Sequence, residues 1–485
     1  MLCYLCLTEH SYNIATMTNL PSYFNDGDTI CALSTPHGTG GIAVIRVSGK
    51  GAVAVCSELF NPKGAPLSER VSHTLAYGSI VDDNRVIDEV VVSLFRAPHS
   101  FTGEDVVEIS CHGSLFIQQE VMQALIAKGC RTASAGEFTQ RAFLNGKLDL
   151  SQAEAVADLI AATSAASHRL ALSQMKGGFS RELDLLRNEM LTFTSLIELE
   201  LDFSEEDVEF ADRSELNRLV AHIETVLSRL IDSFRVGNAV KNGIPVAIVG
   251  ETNAGKSTLL NLLLKDDKAI VSDIHGTTRD VVEDVAVLGG VTFRFIDTAG
   301  IRETSDTIER MGIERTFTKI EQASIVLWVV DATSSDALVE AMSKIILPKT
   351  EGKEVLALFN KSDLLAADDL KRKLGLLNLP AGAAMAISAR MRQNIDVLEA
   401  RLVELSGVNS LNNSDIVVTN ARHYEALTKA HAAISRVSEG LENHLSGDFL
   451  SQDIREAIHY LGEITGTITT DEILGNIFAK FCVGK

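Results

Sequence analysis

The sequence predicts a multidomain chain of α+β and α/β class: an N-terminal α+β domain, an α-helical domain split along the chain, and a doubly wound P-loop domain inserted between its halves. Three observations carry this expectation. Gly250-Glu251-Thr252-Asn253-Ala254-Gly255-Lys256-Ser257 fits G-x-x-x-x-G-K-[ST], between the apolar run Ile244–Val249 and the leucine-rich stretch Thr258–Leu264. That is the strand–loop–helix context the motif needs. Residues 26–143 carry short β-branched runs, whereas residues 144–240 carry helical apolar spacing. Helical spacing then resumes at Ala421–Leu445 and Ser451–Ile464. Helices on both sides of an α/β segment are more simply one interrupted domain than two bundles.

In chain order, residues 1–25 are expected to be a disordered extension, with Met17 a candidate start. The opening MLCYLCL is apolar but short and lacks a basic flank, which argues against a signal peptide. In residues 26–143, Thr29–Leu33, Gly41–Val47 and Val90–Phe95 read as strands, and Gly38-Thr39-Gly40-Gly41 as a tight turn. No helix follows that turn, so it is not a second phosphate loop. Helices are expected at Ser151–Ser164, Ser167–Leu185, Arg187–Leu201 and Ser214–Phe234. The acidic stretch 196–210 reads as a solvated helix end. Residues 241–410 form the α/β domain, and residues 411–485 return to helix.

Composition bounds the function. With 485 residues, 46% hydrophobic and 22% charged, the chain supports a sizeable core in about two to four domains. A net charge of −21 repels nucleic acid at long range, so any such contact must use a local basic patch. The cysteines, Cys3, Cys6, Cys31, Cys56, Cys111, Cys130 and Cys482, are an odd and scattered set, as expected of reduced thiols in a cytoplasmic setting. The C-x-x-C of Cys3 and Cys6 has no second pair, so no metal is expected there. No stretch is long enough to span a membrane.

The phosphate loop is followed by four more signals in order. Glycines let backbone N–H groups wrap phosphates, Lys256 reaches the β- and γ-phosphates, and the Ser257 hydroxyl suits Mg²⁺. Gly276-Thr277-Thr278-Arg279-Asp280 precedes the strand Val281–Leu288, and a threonine hydroxyl there can complete the Mg²⁺ shell. The strand Val291–Ile296 ends in Asp297-Thr298-Ala299-Gly300, where Asp297 can hold a metal-bound water and the Gly300 N–H can sense a γ-phosphate. The strand Val355–Phe359 ends in Asn360-Lys361-Ser362-Asp363, whose carboxylate accepts from the two N–H donors of guanine. The strand Ala384–Ile387 ends in Ser388-Ala389, whose backbone can meet the guanine O6. One such motif is common. Five in order, each at a strand's carboxyl end, indicate a GTP-binding domain, and Asp363 disfavours ATP.

From about Asp28 to Lys485 the chain resembles the MnmE/TrmE family of tRNA-modification GTPases. The resemblance rests on Asp28-Thr29-Ile30 with Gly40-Gly41-Ile42, on Ser100-Phe101-Thr102-Gly103-Glu104-Asp105, and on the run Gly136–Leu150. It rests further on Asn253-Ala254-Gly255-Lys256-Ser257 and on the terminal Phe481-Cys482-Val483-Gly484-Lys485. His37, Thr39 and Thr252 depart from residues common in the family, and residues 1–25 have no counterpart.

The resemblance implies a homodimer whose N-terminal domain binds a tetrahydrofolate derivative. It also implies an FAD-containing partner of the MnmG/GidA type in a heterotetramer, and addition of an aminomethyl or carboxymethylaminomethyl group at C5 of the wobble uridine of certain tRNAs. The folate contacts it implies are Arg46, Glu108, Lys147 and Lys485. The nucleotide contacts are Asn253, Ala254, Gly255, Lys256, Ser257, Thr258, Ser272, Asp273, Ile274, His275, Gly276, Thr277, Thr278, Asp297, Thr298, Ala299, Gly300, Asn360, Lys361, Asp363, Ser388 and Ala389. Mg²⁺ would be held by Ser257 and Thr278, and K⁺ by Asn253, Ser272, Ile274 and Thr277. Lys256 and Glu309 would be catalytic, Glu309 orienting the attacking water, and Cys482 is a candidate functional thiol. The motifs of the α/β domain alone leave open a regulatory or ribosome-assembly GTPase switch without modification chemistry.

Overall fold

The computed structural model describes residues 27–202, 213–265, 284–296, 317–377, 379–408, 416–479 and 481–484. The extension expected at 1–25 lies outside the described residues, as does most of the acidic stretch 196–210. Among the described residues two compact units are present: residues 27–160 with 172–223 and 429–484, and residues 161–171 with 224–428.

The first unit opens with β1 (Ile30–Leu33), β2 (Ile42–Ser48), α1 (Ala52–Leu59), β3 (Phe60–Pro62), β4 (Thr74–Asp82) and β5 (Arg85–Phe95). It continues with β6 (Val106–His112), α2 (Leu115–Ala127), β7 (Arg131–Thr132) and α3 (Glu137–Leu144). The strands form one sheet in the order β3-β4-β5-β6-β2-β1-β7. The β4–β5 turn is made by Asp83 and Asn84, both at positive φ, as a tight hairpin turn requires. Side chains alternate across a strand, so the register sorts the sheet into two faces. Ala43, Ile45, Val47, Val90, Val92, Leu94, Val107 and Ile109 bury one face under α1 and α2. The opposite face carries Leu75, Tyr77, Val91, Ser93, Glu108, Ser110, Ile42, Val44 and Arg46. Its β1 end is covered by Phe138 of α3 and by Phe101, packed on Ile30, Ala32 and Ala133. Leu75, Tyr77, Val91 and Ile42 stay exposed. Strands β4 and β6 were not expected from the sequence.

Helices α4 (Leu150–Ala161), α5 (Ala165–Met175), α6 (Gly178–Asp202) and α7 (Arg213–Asn242) precede the second sheet. Within the first unit α6 packs against a helix from the far end of the chain, α13 (Gly447–Thr465). A helix expected over Ser167–Leu185 is instead two. Gly177, at φ +75°, breaks it, and a Cβ there would sit 2.8 Å from Gln152 Nε2. The break expected near Leu186 is absent, because nothing there interrupts the hydrogen-bond ladder of α6. Helix α12 (Ala421–Glu442) begins where expected, and α14 (Asp471–Phe478), unforeseen, packs on α3 through Phe143, Phe478 and Phe481.

The second unit contains β8 (Ile244–Gly250), α8 (Lys256–Lys265), β9 (Asp284–Leu288), β10 (Val291–Phe295), β11 (Ile325–Asp331) and α9 (Asp336–Ile346). Then come β12 (Glu354–Asn360), α10 (Ala367–Leu374), β13 (Ala384–Ala386) and α11 (Ile395–Leu405). The sheet order is β13-β12-β11-β8-β10-β9, parallel except for β9. Strand β11 is buried from Ile325 to Val330, the near-continuous apolar run of a strand covered on both faces. One face packs Leu259, Leu263 and Leu398, the other Val339, Ile346 and Trp328. The fold is therefore mixed: an α+β N-terminal sheet, helices before and after, and a doubly wound P-loop sheet between them.

Candidate functional site

In an open parallel sheet, ligands bind outside the carboxyl ends of the strands. Here β8, β11 and β12 end at Gly250, Asp331 and Asn360, and α8 starts at Lys256. The loop between β8 and α8 passes so close to β12 that a Cβ on Gly255 would lie 2.1 Å from Asn360 Nδ2. Only glycine permits that approach, and its φ of +96° is costly for any other residue. Asn360 uses the proximity. Its Nδ2 donates to Ala254 O at 2.8 Å, and its Oδ1 accepts from Ala389 N at 2.9 Å. One buried carboxamide thus ties the phosphate loop to the Ser388-Ala389 loop. Ser388 is fully buried and its Oγ accepts from Met391 N at 3.1 Å.

Lys256 Nζ donates to Gly250 O at 2.9 Å and to Glu251 O at 2.6 Å. Burial, and then the nearby Lys319, lower its pKa from the usual lysine value, with Glu251 acting in the other sense. A partly desolvated ammonium in the phosphate loop is what a polyphosphate would neutralise. Asn253 sits exposed at the loop tip with φ +63°. Ser257 and Thr258 lie in the first turn of α8. Lys361 also takes a left-handed backbone, φ +63°, and Asp363, two residues on, is exposed. The structure brings Ala254, Gly255, Asn360 and Ala389 into direct contact. Ser272, Asp273, Ile274, His275, Gly276, Thr277, Thr278, Asp297, Thr298, Ala299, Gly300 and Glu309 lie outside the described residues.

A second constellation lies on the N-terminal sheet. Arg46 and Glu108 face each other across β2 and β6, with Nε and a terminal nitrogen of Arg46 both 2.9 Å from Glu108 Oε1. The Arg46 guanidinium lies 5.4 Å from the ring centre of Phe101 and 5.6 Å from that of Phe138. Lys147 Nζ donates to Pro98 O at 3.1 Å. The end of the chain lies against the same domain: Val483 bridges Ala135, Gly136 N donates to Cys482 O at 3.4 Å, and Ser34 Oγ donates to Gly484 O at 3.2 Å. Cys482 is exposed, whereas Cys31, Cys56, Cys111 and Cys130 are buried free thiols. Burial pushes the Cys111 thiol up to about 11, with Asp88 acting in the same sense. Lys485 lies outside the described residues.

Residues 29–147 match the family model described as GTP-binding protein TrmE N-terminus, and residues 150–482 match the model described as MnmE helical domain. The chain belongs to the MnmE/TrmE family. It is 60% identical over 463 residues to the tRNA modification GTPase MnmE of Bacteroides thetaiotaomicron, covering 94% of this chain and 99% of that protein. The MnmE of Parabacteroides distasonis is 60% identical over 463 residues, 94% of this chain and all of its own length. That of Flavobacterium johnsoniae is 54% identical over 466 residues, 94% of this chain and 99% of its own.

The MnmE/TrmE signature residues outside the nucleotide motifs turn out to hold the N-terminal domain together. Glu137, buried at 2% exposure, pairs with Arg131 at 2.7 Å and with Arg141 at 3.0 Å. Arg141 also reaches Glu104 at 3.1 Å, and Arg131 reaches Asp28 at 3.2 Å. Ser48 Oγ donates to Glu104 Oε2 at 2.7 Å. These roles were invisible in sequence, because the partners are up to 103 residues apart. Asp331 was missed for another reason: β11 itself was unassigned, so its terminal carboxylate had no context.

Proposed function

We propose that the chain hydrolyses GTP and, with an FAD-containing MnmG/GidA-type partner, adds an aminomethyl-type group at C5 of the wobble uridine of certain tRNAs. The observation that supports this best is the pair of constellations in one chain: a phosphate loop clamped to a guanine-type loop by Asn360, and the chain's terminal Cys482–Gly484 segment seated on the domain that carries Arg46 and Glu108. A binding switch needs only the first. In this reading residues 26–143 dimerise and bind folate, residues 144–240 and 411–485 form the helical domain, and residues 241–410 form the GTPase domain.

The residues suit the groups they would hold. Arg46 and Glu108 pair a cation with a carboxylate on the outer sheet face, their side chains 12% and 17% exposed beside two aromatic rings. A carboxylate suits the N–H edge of a pterin and a cation the folate glutamate tail, with Lys147 and Lys485 as further basic contacts. A tetrahydrofolate held there would supply the one-carbon unit. In the GTPase domain Ser257 would bind Mg²⁺ with Thr278. Asn253, with Ser272, Ile274 and Thr277, offers oxygen ligands for K⁺, whose charge would stand where other GTPases use an arginine. Lys256 would neutralise phosphate charge, and Glu309 would orient the attacking water. Asp363 would accept from the guanine N–H groups, and the Ser388-Ala389 backbone would meet O6.

Wobble-uridine nucleoside analysis in a strain lacking the gene tests the function. Loss of the modified nucleoside, restored by the full chain, is expected. An unaltered nucleoside profile would leave a regulatory GTPase. The K⁺ reading has its own check. GTP turnover is expected to fall by orders of magnitude when Na⁺ replaces K⁺, while GTP still binds, and equal turnover in both salts removes the cation from the reaction.

A further inference from the structure

Outside the five motifs, a strand-end carboxylate holds the lysine of the guanine motif. Strand β11 ends at Asp331, which stands opposite Asn360 in the parallel ladder. Asp331 Oδ2 accepts from Lys361 Nζ at 2.6 Å, and Oδ1 accepts from Thr333 N at 2.9 Å and Thr333 Oγ1 at 2.7 Å. Both oxygens are therefore committed, one to the lysine and one to the turn after β11. The Lys361 backbone is fixed too, left-handed at φ +63° and preceded by the clamped Asn360. A lysine stem is normally the freest part of a site, because its four-carbon chain has many rotamers. Here it is pinned at both ends, which restricts where its apolar stem can lie, two residues before Asp363.

Burial pushes the Asp331 carboxyl up, but Lys361 and the two Thr333 donors outweigh it and hold the group below its ordinary range. The Asp331 carboxylate is thus ionised at neutral pH. Two roles for Lys361 predict opposite consequences. If it were a free cation attracting phosphate, Asp331 would weaken binding by neutralising it. If its stem is a wall for the base, Asp331 strengthens binding by keeping that wall in place.

We propose that Asp331 is a positioning residue of the nucleotide site: it anchors the Lys361 ammonium so that the stem lies extended as an apolar wall for a guanine base, and it thereby sets affinity for guanine nucleotides. This rests on the guanine-nucleotide reading above. It reaches no reacting atom, so its effect belongs in binding and not in the chemical step.

Asp331→Asn keeps an oxygen for Thr333 and removes the ion pair. In the full-length protein, binding of fluorescently labelled GDP is expected to weaken about tenfold, mainly through faster release, as for loss of a charge-assisted hydrogen bond. Turnover at saturating GTP is expected to stay within about twofold. Lys361→Met keeps an unbranched apolar stem and removes the charge that needs holding. In that background Asp331→Asn is expected to cost nothing further, the signature of two residues acting as one. Thr333→Ala, which spares the ion pair, is expected to leave affinity unchanged. Tighter or unchanged GDP binding in Asp331→Asn overturns the proposal. So does an equal loss in the Lys361→Met background, or a Thr333→Ala protein that behaves like Asp331→Asn, since either makes Asp331 a turn-forming residue only. A wild-type protein that binds no labelled GDP would overturn the guanine reading itself, a result distinct from all of these.

Discussion

At the scale of single residues, the nucleotide site separates groups that bind from groups that react. Asp363 is an exposed carboxylate just past the end of β12. Asp363→Asn exchanges one acceptor for a donor, so guanine loses about 2–4 kcal/mol of binding and xanthine nucleotides gain relative to it. Competition between GTP and xanthosine triphosphate reads this directly. Undiminished preference for GTP would remove Asp363 from base recognition. Glu309 is expected to act on the transition state only. Glu309→Ala should lower kcat about a hundredfold with KM nearly constant. Steady-state kinetics showing a raised KM at unchanged kcat would make it a binding residue. The Asp363 expectation comes from a short local motif, whereas that for Glu309 comes from the family resemblance alone. Asp331 was not legible, since a lone strand-end aspartate acquires meaning only once the lysine across the ladder is seen.

At the scale of elements, α3 shows what sequence periodicity leaves out. Its first residue, Glu137, is buried between Arg131 and Arg141. Burial opposes its ionisation, but Arg131, the Ser134 N–H and Arg141 prevail and hold its pKa below the usual glutamate value. A carboxyl whose folded pKa is depressed contributes stability that is fully present above its unfolded value of about 4.3 and lost as pH falls through the folded pKa. Glu137→Gln leaves two arginines without their shared partner, at an expected cost of about 2–4 kcal/mol at pH 7. Urea unfolding should also show a shallower decline of stability below about pH 4 in the variant than in the wild type. A parallel decline in both would mean that Glu137 is not the titrating group. Short apolar, β-branched runs were enough to find β1, β2, β5, β8, β9, β10, β12 and β13. It misplaced the breaks around α5 and α6, because Gly177 rather than the neighbourhood of Leu186 interrupts the hydrogen bonding. It could not supply the ion pairs of α3, whose partners lie on β7, in the Ser100–Asp105 loop and near the start of β1.

At the scale of the whole molecule, the N-terminal sheet leaves one face partly open. Leu75, Tyr77 and Val91 are 60%, 46% and 38% exposed on it, in the same layer as Arg46 and Glu108. Apolar surface gathered on one sheet face is the usual mark of a contact surface, and in the homodimer proposed for this family member a second copy would cover it. Leu75→Glu is expected to shift the protein from dimer to monomer in sedimentation velocity while its melting temperature changes little, because the side chain lies outside the buried core. A dimer that survives Leu75→Glu combined with Val91→Glu would place the self-contact elsewhere.

The Asn360 clamp also works as a ruler. A single carboxamide spans the gap between the two loops, one end on each. The spacing between the phosphate end and the base end of the site is therefore gauged by one side chain and not by the separate flexing of two loops. A nucleotide bound as proposed would be measured from both ends at once. A nucleoside without phosphates, or a polyphosphate without a base, would engage half of a preset frame and gain nothing from the other half. Lengthening or shortening that side chain would recalibrate both ends together, so base choice and phosphate grip cannot be tuned apart at this position.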